Sequence, residues 1–294
     1  MKEKFPYREL FAAERPVPPT NVALLNALQG REFRVLDNGF VRVVDAMGDD
    51  GAIVDAARIS RDGRRGNADE TRRLLFALAR MGHWSPFEMA ELKFRVRAPI
   101  YVFRQWLRHR TASAQETSGR YVDSDLAFQS ACNEWRGVDG KPLPPEVCDE
   151  LGELEYDACA ALETVYTERL RRGVVREQAR KELPLSTYTE AYWKIDLRNL
   201  FNFLRLRLDD AAQYEIQRYA SAIASEIVAP LFPDAFAAFE EHDLYAVRLS
   251  RSEAELLRGM NLANETRLLE AEKQLGIDGA RRFFGKLSKR CVEI

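Results

Sequence analysis

Seven polar side chains crowd one stretch of the 294-residue chain: Gln105, Arg108, His109, Arg110, Glu116, Ser118 and Arg120. Guanidinium groups offer paired, charge-assisted donors that match the oxygens of a phosphate or a carboxylate. Gln105, Glu116 and Ser118 add acceptors and neutral donors, so the set suits a polar ligand with both phosphate and amide edges. A second group follows at Arg180, Asp196, Arg198, Asn202 and Arg207. A third segment, His83-Trp84-Ser85-Pro86-Phe87-Glu88, falls between a helix end and a strand start. The remaining histidine, His242, has no supporting context. The four cysteines, Cys132, Cys148, Cys159 and Cys291, are scattered, with no Cys-x-x-Cys pair and no nearby His. Neither a zinc site nor a disulfide framework is expected, and the thiols read as ordinary packing groups. No Gly-x-Gly-x-x-Gly and no phosphate-binding Gly-Lys-Ser/Thr loop is present. Any nucleotide must be held by side chains.

These residues need elements to place them. Residues 1–30 contain Pro6, Pro16, Pro18 and Pro19 and read as an extended arm. Phe33 to Val44 gives two apolar runs around Asp37-Asn38-Gly39, the chemistry of a hairpin with a primed turn. Helical spacing over Asn67 to Met81 ends at Gly82, a natural left-handed stop. Ala90 to Arg97 alternates strictly and predicts a half-buried strand. Pro99 opens a helix to about His109, which places Gln105, Arg108 and His109 on one face and turns Phe103, Trp106 and Leu107 toward the core. Leu151 to Leu170 predicts a long amphipathic helix, Val174 to Leu183 a short one, and Thr187 to Ile195 a strand. Asp196 should cap a helix over Leu197 to Leu208, and another should run from Ala211 to Ala229 and stop at Pro230. Residues from about Tyr245 onward are charged and helical by period. The fold class is α+β: one elaborated domain with a mixed or antiparallel sheet packed against helices, and a helix-rich C-terminal half.

Composition removes several classes. Hydrophobic residues make up 46% and charged residues 31%, which excludes a disordered or fibrous chain. Net charge is -2, so bulk attraction to nucleic acid or to an anionic membrane is not indicated. No apolar run approaches the roughly 20 residues of a membrane span, and the charged, Pro-rich amino terminus is unlike a signal peptide. A cytoplasmic protein is expected. Arginine outnumbers lysine 35 to 9, which multiplies candidates for anion binding.

The pattern Arg108-His109-Arg110, seven further residues, then Ser118 resembles the signature of flavin-dependent thymidylate synthases. Phe103-Arg104-Gln105-Trp106 before it and Ser118-Gly119-Arg120-Tyr121 after it look the same. The His83–Glu88, Arg180–Leu185 and Asp196–Tyr219 stretches are also similar to that family, in the same order. The resemblance covers roughly residues 35–240, which divides the chain into an N-terminal arm (1–34), a core (35–240) and a helical C-terminal extension (241–294).

The resemblance implies conversion of dUMP to dTMP, with 5,10-methylenetetrahydrofolate giving the carbon and FAD, reduced by NADPH, giving the hydride. It implies a homotetramer with active sites between subunits. Carried over by position, Gln105, Trp106, Leu107, Arg108, Glu116, Ser118, Arg120, Arg180 and Arg207 would form the dUMP site. His83, Ser85, Arg108, His109, Arg110, Glu116, Asp196, Leu197, Arg198 and Asn202 would form the FAD site. Arg207 would be catalytic, facing uracil N3 and favouring the deprotonated ring. No cysteine falls in the matched motifs, in keeping with a route that lacks an enzyme thiolate. Two positions depart from the family's usual residues: Met89 stands where His is common, and Asp196 where Asn is common. Two rival readings are an Arg-rich nucleic-acid binder and a flavoprotein of the same fold that only oxidises NADPH.

Overall fold

The computed structural model describes residues 22–59, 67–121, 126–130, 135–247, 250 and 273. In chain order, α1 (Val22–Leu28) leads into β1 (Glu32–Val35) and β2 (Gly39–Met47), then α2 (Asp50–Ala57) and α3 (Ala68–Met81). A 3-10 turn, Ser85–Met89, leads into β3 (Glu91–Pro99), α4 (Ile100–Trp106) and β4 (Ser113–Glu116). Next come α5 (Pro145–Arg171), α6 (Arg176–Ala179), β5 (Tyr188–Asp196) and α7 (Leu197–Arg207). The tail of the fold is α8 (Tyr214–Ala222), a π segment (Ile223–Val228), α9 (Ala229–Leu231) and α10 (Pro233–Phe239). The chain divides after Leu244, and the second unit lies almost wholly outside the described residues. No helix among the described residues is long and apolar enough to cross a membrane.

The five strands form one antiparallel sheet in the order β1-β2-β3-β5-β4. The alternation in β3 does what period-two patterning requires. Leu92, Phe94 and Val96 are buried, while Arg95 and Arg97 emerge on the other face and meet Glu190 of β5. The inner face continues through Val41, Val43, Trp193 and Ile195, and α7 and α8 cover it with Leu200, Phe201, Phe203, Ile216 and Tyr219. Trp106 sits among Phe103, Trp193, Phe203 and Tyr219, with ring centroids 5.1–5.7 Å apart.

Several expectations change. The N-terminal arm is not extended throughout, because Val22–Leu28 is helical, Leu28 is buried and Glu32–Val35 joins the sheet. The hairpin exists without a primed turn. Its loop is Leu36 to Asn38, positive φ falls on Leu36 (57°), and Asp37 is taken up by the Tyr188 hydroxyl and the Ser130 N–H. Gly39 serves close approach instead: a Cβ there would lie 2.0 Å from the Tyr219 hydroxyl and 2.6 Å from the Val35 carbonyl oxygen. The Pro99 helix ends at Trp106, three residues early, and Leu107 is exposed instead of buried. The helix expected from Ala211 begins at Tyr214 and does not stop at Pro230. A proline lacks the N–H for its intrahelical bond, and the preceding turns widen into a π segment that tolerates the loss.

The other elements stand close to expectation. Asn67 caps α3 by accepting from the Glu70 N–H at 2.9 Å, and Gly82 ends it with φ 72°. The long helix starts earlier, at Pro145, and the next turn closes at Gly173 with φ 81°. The region read as helical beyond Tyr245 lies outside the described residues, apart from a few positions.

Candidate active site

Two of the sequence groups meet at the ends of α4 and α7. After Trp106 the chain tightens: the Arg108 N–H donates to the Gln105 carbonyl at 3.3 Å and the His109 N–H to that of Trp106 at 3.1 Å. This short turn carries Arg108 and His109 off the helix, so they do not form the stripe with Gln105 that helical spacing predicts. Tertiary contact achieves the convergence instead. Arg207 Nε donates to His109 Nε2 at 3.1 Å, and a terminal Arg207 nitrogen donates to the Gln105 carbonyl at 3.2 Å. His109 Nε2 is therefore the acceptor, which leaves the ring proton on Nδ1. Burial, and then the Arg207 charge, push His109 down to about 4. At neutral pH it is an uncharged ring, edge-on to buried Phe203 at 4.9 Å. Burial also lowers the Arg207 guanidinium from its ordinary value, and no carboxylate pairs with it among the described residues.

Around this centre the cations are open. Arg104, Arg108, Arg110 and Arg180 are exposed and make no ion pair among the described residues. Strand β4 lies at the sheet edge, exposed along its length, and presents Glu116, which accepts from the Thr189 hydroxyl at 2.9 Å. Ser118 follows, half-buried, with its hydroxyl oxygen 3.4 Å from the Arg120 N–H that donates to it. Arg120 pairs with Glu177 of α6 at 2.8 Å, one turn from Arg180. No hydrogen bond or ion pair among the described residues joins the Arg120–Arg180 part to the Gln105–Arg207 part.

The third group builds a separate hollow. The Gly82 stop makes a Schellman end: the His83 N–H donates to the Leu78 carbonyl at 2.9 Å and the Gly82 N–H to that of Ala79 at 3.0 Å. His83, Trp84 and Ser85 then line a cavity of about 550 Å³ with Arg198, backed by Ala57 and Leu78. The Arg198 guanidinium lies 4.8 Å from the Trp84 ring centroid and 3.8 Å from buried Asp243. Asn202 accepts from Arg205 at 3.0 Å. Asp196 caps α7 with both oxygens, accepting from the Asn199 N–H at 2.9 Å and from its side-chain amide at 2.6 Å. Its charge is thus spent on the helix end, where a carboxylate is favoured. Met89, the other departure, is exposed at the end of the 3-10 turn.

Two members of the sequence set cannot present side chains as they stand. Trp106 is 0% exposed and Leu197 1%, so both act as packing beneath the site. Gln213, at the start of α8, was not anticipated, yet its side-chain oxygen accepts from the Gln105 amide. The expected helix began at Ala211, which made Gln213 an interior position; no spacing signal marked it. Neither described thiol bonds to these groups: Cys148 and Cys159 are buried along α5, Cys148 donates to the Leu143 carbonyl at 3.6 Å, and burial pushes the Cys159 thiol up. Cys132 and Cys291 lie outside the described residues. No cluster of three or more metal-ligating side chains occurs among the described residues.

Residues 42–234 match the family model described as thymidylate synthase complementing protein. A flavin-dependent thymidylate synthase of Thermus thermophilus is 48% identical over 254 residues, covering 84% of this chain and 92% of that protein. One from Treponema denticola is 42% identical over 240 residues, covering 78% and 90%. Among solved structures, a UMP/dUMP methylase, PolB from Streptomyces cacaoi bound with 5-Br dUMP, superposes with a TM-score of 0.65 at 30% identity. That match covers 71% of this chain and 97% of PolB.

Proposed function

We propose a mechanism from one settled premise: the chain belongs to the flavin-dependent thymidylate synthase family and is an enzyme of dTMP synthesis. The finer reading is reductive methylation of dUMP with 5,10-methylenetetrahydrofolate as carbon donor, FAD as cofactor and NADPH as reductant, in the cytoplasm. The observation that carries it is the contact of Arg207 with both His109 and Gln105, which joins two sequence clusters about 100 residues apart into one polar centre.

Gln105, Arg108, Glu116, Ser118, Arg120, Arg180 and Arg207 bind dUMP. Exposed guanidinium forks take its phosphate, and an unpaired, partly desolvated Arg207 meets the uracil ring. A guanidinium without a carboxylate partner keeps its full field for a ligand anion, and its low-dielectric setting strengthens that field. Arg207 therefore stabilises negative charge at uracil N3 and enriches the ring at C5. His109, uncharged, holds the Arg207 fork in orientation without competing for the anion. Trp106, Leu107 and Leu197 support the site from beneath or beside it.

The chemistry of the Trp84 hollow fits a flavin nucleotide. It joins an aromatic floor, a guanidinium and the polar rim of His83 and Ser85 in a volume of about 550 Å³. His83, Ser85, Asp196, Leu197, Arg198 and Asn202, with Arg108, His109, Arg110 and Glu116, would hold FAD. When bound, FAD supplies hydride transfer. Both described thiols are buried in α5, and burial pushes the Cys159 thiol up, which makes it a poor source of thiolate and supports a route without an enzyme cysteine nucleophile. The openness of residues 104–120 on one chain supports a site completed by neighbouring subunits, as in a homotetramer.

The test is dTMP formation from dUMP with NADPH, FAD and methylenetetrahydrofolate, omitting each in turn. Product is expected only with all present. NADPH oxidation without dTMP would instead mark the flavoprotein rival.

A further inference from the structure

Helix α5, Pro145–Arg171, carries two apolar stripes and buries only one. Cys148, Cys159 and Tyr166 face the body of the chain. The adjacent stripe is Val147, Leu151, Leu154, Ala158, Ala161 and Val165, spaced 4-3-4-3-4. That is the a/d repeat of a coiled-coil seam, far narrower than the broad face a helix turns to a globular core. The seam stays open: Leu154 is 66% exposed, Val165 40% and Val147 38%, and both alanines are exposed. Leu151 is half-buried, and the other five positions lie in strict register on the solvent side of one helix, which marks a docking face.

The occupant follows from the seam's own arithmetic. In an antiparallel pair each a position meets a d position. Taken with a second copy, Ala158 meets Ala161, Leu154 meets Val165, and the stems of Glu168 and Arg172 cover Leu151 and Val147. Small residues sit at the centre, where the helices approach most closely, and larger ones flank them. Charge points the same way. From Glu146 to Glu168 the helix carries eight acidic and no basic side chains, and then Arg169, Arg171 and Arg172 follow. A parallel partner would stack acid on acid. The antiparallel partner sets exposed Glu150 of each copy against exposed Arg171 of the other, at both ends of the pair.

We infer that the Val147–Val165 seam is the face by which two copies of this chain pair, helix against helix and antiparallel. Sites shared between chains require copies to assemble but do not require this face, so either idea can fail alone.

The test is a double variant of the full chain, Leu154→Cys with Val165→Cys, made with the four native cysteines replaced by serine, oxidised mildly and run without reductant. Within one helix these positions are about 16 Å apart at ~1.5 Å per residue, beyond the roughly 7 Å Cα limit of a disulfide. A bond can therefore form only between copies. The expected band lies at twice 33.7 kDa, and it should be absent from the unsubstituted chain and from either single variant. A single variant that links to itself would show parallel pairing and overturn the inference. A double variant that stays at single-chain mass would overturn it too, since the seam would then not meet a second copy. Glu150→Arg should weaken the link several-fold, and adding Arg171→Glu should restore it. Absence of that rescue would remove the antiparallel register.

Discussion

Arg207→Ala separates a binding role from a structural one. In the folded chain the side chain donates to His109 Nε2 at 3.1 Å and to the Gln105 carbonyl at 3.2 Å. Both acceptors are only partly buried, so water can replace the lost donors, and the removed cation itself was costly to bury. Stability should therefore move by no more than about 1 kcal/mol. Ligand chemistry responds differently. One charged hydrogen bond to an anion is worth about 1.5–3 kcal/mol, or roughly 10- to 150-fold. Because negative charge on the ring grows toward the transition state, the loss should fall on kcat more than on KM, by about 100-fold. Arg207→Lys keeps the charge but loses the fork, and should fall between. A second readout needs no substrate. Removing the Arg207 charge takes away the smaller cause that holds His109 near 4, while burial, the larger cause, remains. The His109 titration, followed by NMR, should rise from about 4 yet stay below the ordinary 6.5. A variant with turnover within about threefold of the parent, or with an unmoved His109, would refute the proposed role of this contact.

Asp50, 9% exposed, accepts from the Asp234 and Ala235 N–H groups at 2.9 and 3.1 Å, and burial raises it to about 6. The folded state holds the proton more tightly than the unfolded chain, so this group's stabilisation is present below pH ~4 and lost as pH rises through 6. Urea titrations should show the parent losing on the order of 2–3 kcal/mol relative to Asp50→Asn between pH 4 and 7; parallel curves would contradict that. Gly39→Ala drives a methyl into the Tyr219 hydroxyl and the Val35 backbone, and should cost about 2–4 kcal/mol in thermal or chemical denaturation. A neutral result would mean that the hairpin shifts freely. Replacing all four cysteines by serine should leave turnover within a few-fold where the protein folds; loss traced to one thiol in a folded enzyme would reopen covalent catalysis.

Local rules made much of the fold readable. Asn67, Gly82 and Asp196 mark helix ends by chemistry that acts within four residues, β3 announces itself by alternation and β5 by its Thr, Tyr and Trp content. The failures share a different cause. Leu36 adopts positive φ because Asp37 is drawn to Tyr188, 151 residues away, and no hairpin rule contains that bond. The helix through Pro230 survives by widening, a response invisible to a rule that only counts missing donors. At the site, residue types and order singled out segments of which Arg207 joins two, but helical spacing gave a wrong account of how Arg108 and His109 meet Gln105. Arg207 provides that link from another helix, and Gln213 joins it with no signature in the sequence.

The Schellman end at Gly82 sets a length standard for the chain. It fixes the His83 backbone one bond beyond α3 while its side chain opens into the Trp84 hollow. Inserting or deleting one residue within α3 would swing that exit by about 100° and slide it about 1.5 Å. Helix 68–81 should therefore accept drift in residue identity on its outer face far more readily than any change in residue number, and gaps among descendants of this sequence should avoid it.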